Sequence, residues 1–440
     1  MTRAACPVAS APPQALAAAF GVTRWTYAQL DERVRAWHAR LRGHARVAVC
    51  SENSLELLAL LHAAGRAGTA LLLLNTRLTA RERLAQLAAL GNPPLADELA
   101  HELAAGPAAR GLPASEAASL DPGSVQTLLF TSGTTGVPKV APHTVQNHQA
   151  NARAAIEVLG LDAGTRFVCC LPLFHVGGVA IAIRCALAGG AVLLHERFDA
   201  AAVAQDLRSG ATHASLVAST LARVLDACDA FPPGVRAVLV GGGPVPSALL
   251  ARARGAGLPV LQTYGLTETS SQATCERPGE ADGETAGPPM PGLELRVTQD
   301  GEIEVRGPAV IAGYLGAPAF DGWFATGDLG TLDARGRLVV HARRVDLILS
   351  GGENVYPAEV EAALLLHPGV REAAVLPAPD ERWGQVGVAH LVAEATEPEL
   401  RAFLRARLAA YKVPARFHFR AALPKTAAGK VDRAALLRAR

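Results

Sequence analysis

The chain has 440 residues, half of them hydrophobic and 19% charged, which excludes an intrinsically disordered protein and implies two or more domains with sizeable cores. The formal net charge is only +2, aromatics make up 5%, and Arg is interspersed with Asp and Glu, so the pattern offers no basic stripe or stacking platform for nucleic acid. The seven cysteines are odd in number and form no C-x-x-C, which argues against a disulfide framework or a zinc site and for small core residues in a reducing compartment.

Near the N-terminus Ala and Pro dominate, but no basic flank precedes a continuous apolar run, so a secretory signal is not expected and a cytoplasmic location follows by default. The apolar stretch from Leu57 to Leu74 is interrupted by His62 and Arg66 and predicts a buried helix followed by a strand, with no membrane span. Thr79 and Glu82 form a capping box for a helix running toward Leu90, and Gly91-Asn92-Pro93-Pro94 stops it. Residues 97 to 124 predict a connecting helix and a surface loop. Arg166 to Leu171, Val235 to Val240 and Val260 to Thr263 read as buried strands, each running into a loop rich in Gly, Pro or polar residues. Alternation of such strands with helices predicts an α/β fold with layered subdomains, and strand-to-loop junctions are where ligands sit in such sheets.

From Leu293 the pattern changes to alternating strands, Leu293 to Val297 and Glu302 to Arg306, with Gly and Asp turns as far as Gly336, a smaller antiparallel β subdomain. After Arg343-Arg344-Val345-Asp346 comes an α+β tail with a helix from Pro357 to Leu366, strands near Ala373 to Leu376 and Val388 to Val392, and a helix from Glu397 to Ala410. The expected domains are residues 1–344 and 345–440.

Only four lysines occur, Lys139, Lys412, Lys425 and Lys430, in a chain that otherwise writes Arg. A lysine is a compact point charge on a flexible stem and is not replaceable by a planar guanidinium where one ammonium must reach a phosphate, so all four positions read as phosphate-type loops. Lys139 closes Thr131-Ser132-Gly133-Thr134-Thr135-Gly136-Val137-Pro138-Lys139, directly after Leu128-Leu129-Phe130. Backbone N–H groups, hydroxyls and one ammonium in such a loop can surround a polyphosphate, although no Walker A spacing is present; a flexible Gly/Thr surface turn is the other reading.

Together with Tyr264-Gly265-Leu266-Thr267-Glu268-Thr269, Thr326-Gly327-Asp328-Leu329, Ser350-Gly351-Gly352-Glu353-Asn354 and the run Leu423 to Arg433, this loop resembles the adenylate-forming acyl-CoA synthetases, with all five motifs in that family's order. The resemblance extends from about Trp25 to the C-terminus and implies a large N-terminal adenylation domain and a mobile α+β C-terminal domain. It implies that Thr131, Ser132, Thr134, Thr135 and Lys139, with Gly133 and Gly136 shaping the loop, hold the β and γ phosphates of ATP. Gly241, Gly242 and Gly243 would let adenine approach the backbone, with Tyr264 covering its other face. Thr267 would touch the α-phosphate, Glu268 would hold Mg²⁺, Asp328 would accept the ribose hydroxyls and Arg343 would assist. Lys430 would bridge the attacking carboxylate and the α-phosphate, and His175, in Leu171-Pro172-Leu173-Phe174-His175, would gate the acyl pocket. The Gly351-Gly352 loop would serve the second step, in which the pantetheine thiol of CoA displaces AMP. Two positions depart from the family pattern: Val345 stands where the hinge is usually Asp or Lys, and Ala342 where Gly is usual.

The short length, Thr212-His213-Ala214-Ser215-Leu216-Val217, Gly241-Gly242-Gly243-Pro244 and Ser270-Ser271-Gln272 most resemble the o-succinylbenzoate–CoA ligases of menaquinone synthesis. Such a substrate carries a second carboxylate, for which Arg223 is the candidate counter-charge, with a solvated helix Arg as the other reading. Other aryl or medium-chain acids are the alternative substrates. An adenylation domain serving a carrier protein would need an acidic anchor for an amino group, which the residues after Phe174-His175 do not offer. A non-catalytic nucleotide-binding module would be expected to lose Lys430 or Glu268. The implied partners are a small carboxylic acid, ATP and CoA, in a monomer or homodimer.

Overall fold

In a computed structural model the described residues are 4–78, 80–97, 119–131, 139–243, 245–343, 347–350, 353–380, 383–408, 410–426 and 429–438. The expected helix cap at Thr79, most of the 97–124 connection, the loop Ser132 to Pro138, the hinge at Val345 and the Gly351-Gly352 pair lie outside them.

An eight-stranded sheet organises the N-terminal part. Its strands run in the order Ser271–Cys275, Val260–Leu266, Ala237–Gly241, His213–Leu216, Arg166–Cys169, Ala191–Leu194, Leu16–Phe20 and Thr23–Thr26. The inner pairs are parallel and the pair at each edge is antiparallel. Successive side chains point to opposite faces: Phe167, Cys169, Ala237 and Leu239 enter one core, Val168, Cys170, Val238 and Val240 another. Helices cover both faces, which is why these strands read as nearly continuous apolar runs. The first core is shared with helices Tyr27–Leu41, Leu55–Ala67, Val145–Leu159 and Val176–Ala188, and the second with Ala200–Arg208, Ala218–Ala227 and Ser247–Gly255.

A second sheet holds Arg46–Val49, Ala70–Leu73 and Val125–Thr131 in parallel, with Lys139–Thr144 antiparallel at its edge. The predicted helix and strand over 57–74 appear as Leu55–Ala67, capped by the Ser54 hydroxyl and ended by left-handed Gly68, and Ala70–Leu73. Third is the antiparallel sheet Glu294–Val297, Glu302–Arg306, Phe324–Leu332 and Leu338–Arg343, as the alternation predicted. The C-terminal part is a five-stranded sheet packed against the helices Pro357–Leu365 and Glu397–Arg405. This last helix stops short of the predicted Ala410, because Ala406 caps it and the chain turns into a short 3₁₀ segment at Ala410–Lys412. No helix among the described residues is long and apolar enough to cross a membrane. All seven cysteines are free thiols; Cys50 and Cys228 are half-buried, and the others lie in the core as composition suggested.

Asn53 joins the first two sheets. Its amide is 3% exposed and donates to the carbonyls of Leu171 and His195, each at 3.0 Å, while its Oδ1 accepts from the Leu173 N–H at 2.8 Å. Three bonds on one buried side chain fix the turn that leads into His175.

Candidate active site

The parallel strands of the eight-stranded sheet all point their C-terminal ends to one edge, and the loops leaving them carry the predicted residues: His175 after Arg166–Cys169, Gly242 and Gly243 after Ala237–Gly241, and Thr267 and Glu268 after Val260–Leu266. Thr131 and Lys139 face each other across the last rung of their antiparallel pair. The phosphate-type loop therefore leaves and rejoins the sheet at one point.

Lys139 lies with Nζ 4.8 Å from the centre of the Tyr314 ring, and the Tyr314 hydroxyl donates to Glu268 Oε1 at 2.6 Å. Tyr314 thus connects the loop lysine to the predicted metal-binding carboxylate. Burial, then the neighbouring Glu268 carboxylate, hold its phenol well above its ordinary range. Sequence reasoning missed it; the only available signal was an aromatic residue between two recognised motifs.

The Thr267–Thr269 turn is held from several sides. His143 Nε2 donates to the Thr267 carbonyl at 2.7 Å, which fixes its tautomer because a carbonyl only accepts. The Ile311 N–H donates to the Glu268 carbonyl at 2.9 Å, and the Ser270 hydroxyl to the Ala309 carbonyl at 2.8 Å. Ser270 and Ser271 have φ of 55° and 118°, strained values for residues with a Cβ, and this clamping keeps them there.

His143 stacks on His148 with ring centroids 5.0 Å apart, and His148 Nε2 is hydrogen-bonded to Thr127 Oγ1 at 2.8 Å. Burial pushes the His143 pKa down to about 4 and that of His148 well below its ordinary value, where the neighbouring His143 adds to the shift. In the unfolded chain both imidazoles bind protons near pH 6.5, whereas the folded protein leaves them neutral. Their contribution is therefore intact above pH 6.5 and lost as pH falls below it, at about 1.4 kcal/mol per pH unit for each, for His143 down to about pH 4. His148→Gln, which keeps an amide for Thr127, should reduce the pH dependence of the guanidinium unfolding midpoint between pH 6.5 and 4.5 by about one proton. An unchanged slope would mean that His148 is protonated in the folded protein.

The Tyr264 hydroxyl donates to Asp328 Oδ2 at 2.7 Å, bringing the predicted adenine and ribose residues together. Asp328 is 6% exposed and pairs in the strand ladder with Arg343, whose side chain lies outside the described residues.

Lys430 comes from the far end of the chain. The described ends of its hairpin are paired: Lys425 and Val431 are bridged antiparallel, the Thr426 N–H donates to the Lys430 carbonyl at 2.6 Å, and Gly429 lies in the left-handed region at φ +78°. Lys430 lies across Gly242, where an added Cβ would fall 2.8 Å from its Cε and 3.1 Å from its Nζ. Any side chain at position 242 would displace the lysine. At the base of the hairpin, Arg433 bonds to Glu361 Oε1 at 2.6 Å and to the Val375 carbonyl at 2.8 Å.

His175 precedes helix Val176–Ala188 and is tilted against Phe174, with ring centroids 4.8 Å apart. Burial, then the charges of Lys430 and Arg77, push its pKa down to about 4. Its buried Nε2 has no hydrogen-bond partner among the described residues.

Two expectations change. Lys412 is held by Glu359 at 2.6 Å and Lys425 by Glu372, so these two lysines are ion-paired within the C-terminal part. Arg223 is exposed, and its guanidinium lies 4.9 Å from the centre of the Phe198 ring; the structure places it on a surface aromatic and not in a desolvated pocket.

A family model described as "AMP-binding enzyme" matches residues 7–95 and 91–315, and one described as "AMP-binding enzyme C-terminal domain" matches residues 359–430. The chain belongs to the AMP-binding enzyme family. Among curated members, a 2-succinylbenzoate–CoA ligase of Listeria monocytogenes is 37% identical over 446 residues, covering 96% of each chain. One of Bacillus licheniformis is 38% identical over 459 residues, again covering 96% of each chain. Two solved structures of the Bacillus subtilis o-succinylbenzoate CoA synthetase, each 34% identical and covering 99% of this chain, superpose closely. The complex with the acyl-adenylate intermediate OSB-AMP has a TM-score of 0.90 and is itself covered to 98%. The complex with ATP and magnesium ion has a TM-score of 0.89 and is covered to 100%. This AMP-binding enzyme is an AMP-forming CoA ligase with the two-part α/β architecture of its relatives.

Proposed function

We propose that the protein ligates o-succinylbenzoate to CoA through an acyl-adenylate, as a step of menaquinone biosynthesis. A carboxylate oxygen of the acid attacks the α-phosphorus of ATP, the bond to the bridging oxygen breaks, and pyrophosphate leaves. The CoA sulfur then attacks the acyl carbon of the mixed anhydride, AMP departs with its phosphate oxygen, and the thiol proton goes to solvent. The observation that carries this reading is Lys430 seated on Gly242, its charge felt at His175, in a chain that its curated ligase relatives match over almost its whole length.

Lys430 stabilises negative charge between the attacking carboxylate and the α-phosphate. Thr131, Lys139 and the loop Ser132 to Pro138 hold the terminal phosphates, Gly241 to Gly243 and Tyr264 hold adenine, Asp328 and Arg343 hold ribose, and the Gly351-Gly352 loop serves the thiol step. Neutral His175 offers its unpartnered Nε2 to an oxygen of the acyl substrate. Glu268 suits Mg²⁺: a buried carboxylate next to phosphate oxygens is a hard-cation donor set, and bound Mg²⁺ would neutralise charge on the phosphates. Residues 1–344 and 345–440 act as the two domains, and the separate matches of the two family models support that division. We place the enzyme in the cytoplasm as a monomer or homodimer, a location its free thiols favour.

The direct test is AMP release, dependent on both ATP and CoA, across a panel of carboxylic acids. o-Succinylbenzoate should be the best substrate. Preference for an amino acid without a CoA requirement would move the reading to carrier-protein adenylation. Glu268→Gln should raise the Mg²⁺ concentration needed for the first half-reaction more than it weakens ATP binding, because an amide is a poor ligand for a hard cation. A magnesium titration with an unchanged midpoint would remove Glu268 from the metal site.

A further inference from the structure

We propose that Ser219 is a positioning residue that fixes Lys430 for adenylate formation and is idle in thioester formation. The proposal rests on the two-step reading above. Ser219 lies half-buried in the first turn of helix Ala218–Ala227, directly beyond the His213–Leu216 strand. Its hydroxyl donates to the Gly429 carbonyl at 3.1 Å, across 210 residues of sequence.

The choice of acceptor matters. The Gly429 carbonyl and the Lys430 N–H belong to one planar peptide unit, so a bond that holds the carbonyl also fixes the plane from which the Lys430 side chain departs. Approach is close on this side: a Cβ on Gly429 would stand 3.3 Å from Ser219 Oγ and 3.7 Å from Val217 Cγ2. Val217 Cγ1 stands 3.5 Å from the corresponding point on Gly242, so one valine separates the two glycines against which the lysine is set. The hairpin's own bonds, Thr426 N–H to Lys430 carbonyl and Gly429 N–H to Thr426 carbonyl, travel with the C-terminal part and cannot orient it on the sheet. Ser219 belongs to the other part and can. A C-terminal domain that turns away for the thiol step leaves Ser219 behind.

Ser219→Ala should slow acyl-adenylate formation about three- to tenfold, the worth of one neutral hydrogen bond, in single-turnover assays with o-succinylbenzoate, ATP and Mg²⁺. Thioester formation from supplied acyl-adenylate and CoA should stay within about twofold of the parent. Ser219→Thr, which keeps the hydroxyl, should restore the first rate. An unchanged first half-reaction, or equal slowing of both, would overturn the proposal. A second readout needs no substrate. Lys-C cuts this chain at only four lysines, so cleavage after Lys430 can be followed alone, and it should quicken in Ser219→Ala by a similar factor. If o-succinylbenzoate fails as substrate, this cleavage decides, and a rate equal to the parent's rejects the role of Ser219.

Discussion

Benzoate, which lacks the succinyl arm, should be turned over with a kcat/KM on the order of 10⁴ below that of o-succinylbenzoate. The second carboxylate must be matched by a cation or a hydrogen-bond network in a partly desolvated pocket, and a site built for such a group leaves its own polar atoms unpaired when the group is missing. A missing methylene would cost only about 10- to 200-fold, so the contrast separates recognition of the arm from general apolar fit. Comparable kcat/KM for the two acids would sink the substrate assignment. Arg223 can be tested alongside: exposed against Phe198, it should be indifferent, with Arg223→Ala leaving KM for o-succinylbenzoate unchanged, and a raised KM would return it to the acyl pocket. An indifferent variant would leave Arg223 as the surface partner of Phe198 and turn attention to Arg77, whose charge already reaches His175.

Lys430→Ala should lower the rate of adenylate formation by a hundredfold or more while sparing the conversion of supplied acyl-adenylate to thioester. Removing one preorganised donor from a developing charge typically costs that much, and the lysine faces such charge only in the first half-reaction. Its seat across Gly242 means that the truncated side chain would leave the backbone there open without disturbing the glycine's own φ of +80°. Equal damage to both half-reactions would reject the assignment.

Much of the fold was legible because the signals were local. Val168, Val238 and Val240 alternate with Phe167, Ala237 and Leu239 between two apolar faces, and a strand buried on both sides writes a continuous apolar run. The site loops were legible because Gly, Thr and Lys concentrate in them. What escaped was pairing between distant segments. His143 with Thr267, Tyr314 with Glu268 and Ser219 with Gly429 are separated by 124, 46 and 210 residues, and none follows from propensity or period. The same limit produced the misreading of Lys412 and Lys425. Their local sequence looks like that of Lys430, and only the folded chain brings Glu359 and Glu372 against them.

Asn53 also bears on how the acyl pocket could be re-engineered. The turn that delivers His175 is not self-supporting: its carbonyl at Leu171 and its amide at Leu173 are satisfied by a side chain more than a hundred residues upstream, which also holds the end of the neighbouring strand at His195. Transplanting a relative's 170–175 segment alone would risk stranding buried donors and acceptors, at about 1–3 kcal/mol apiece. The unit that can be exchanged between enzymes is therefore discontinuous in sequence, comprising the 50–54 turn, the 170–175 turn and His195 together.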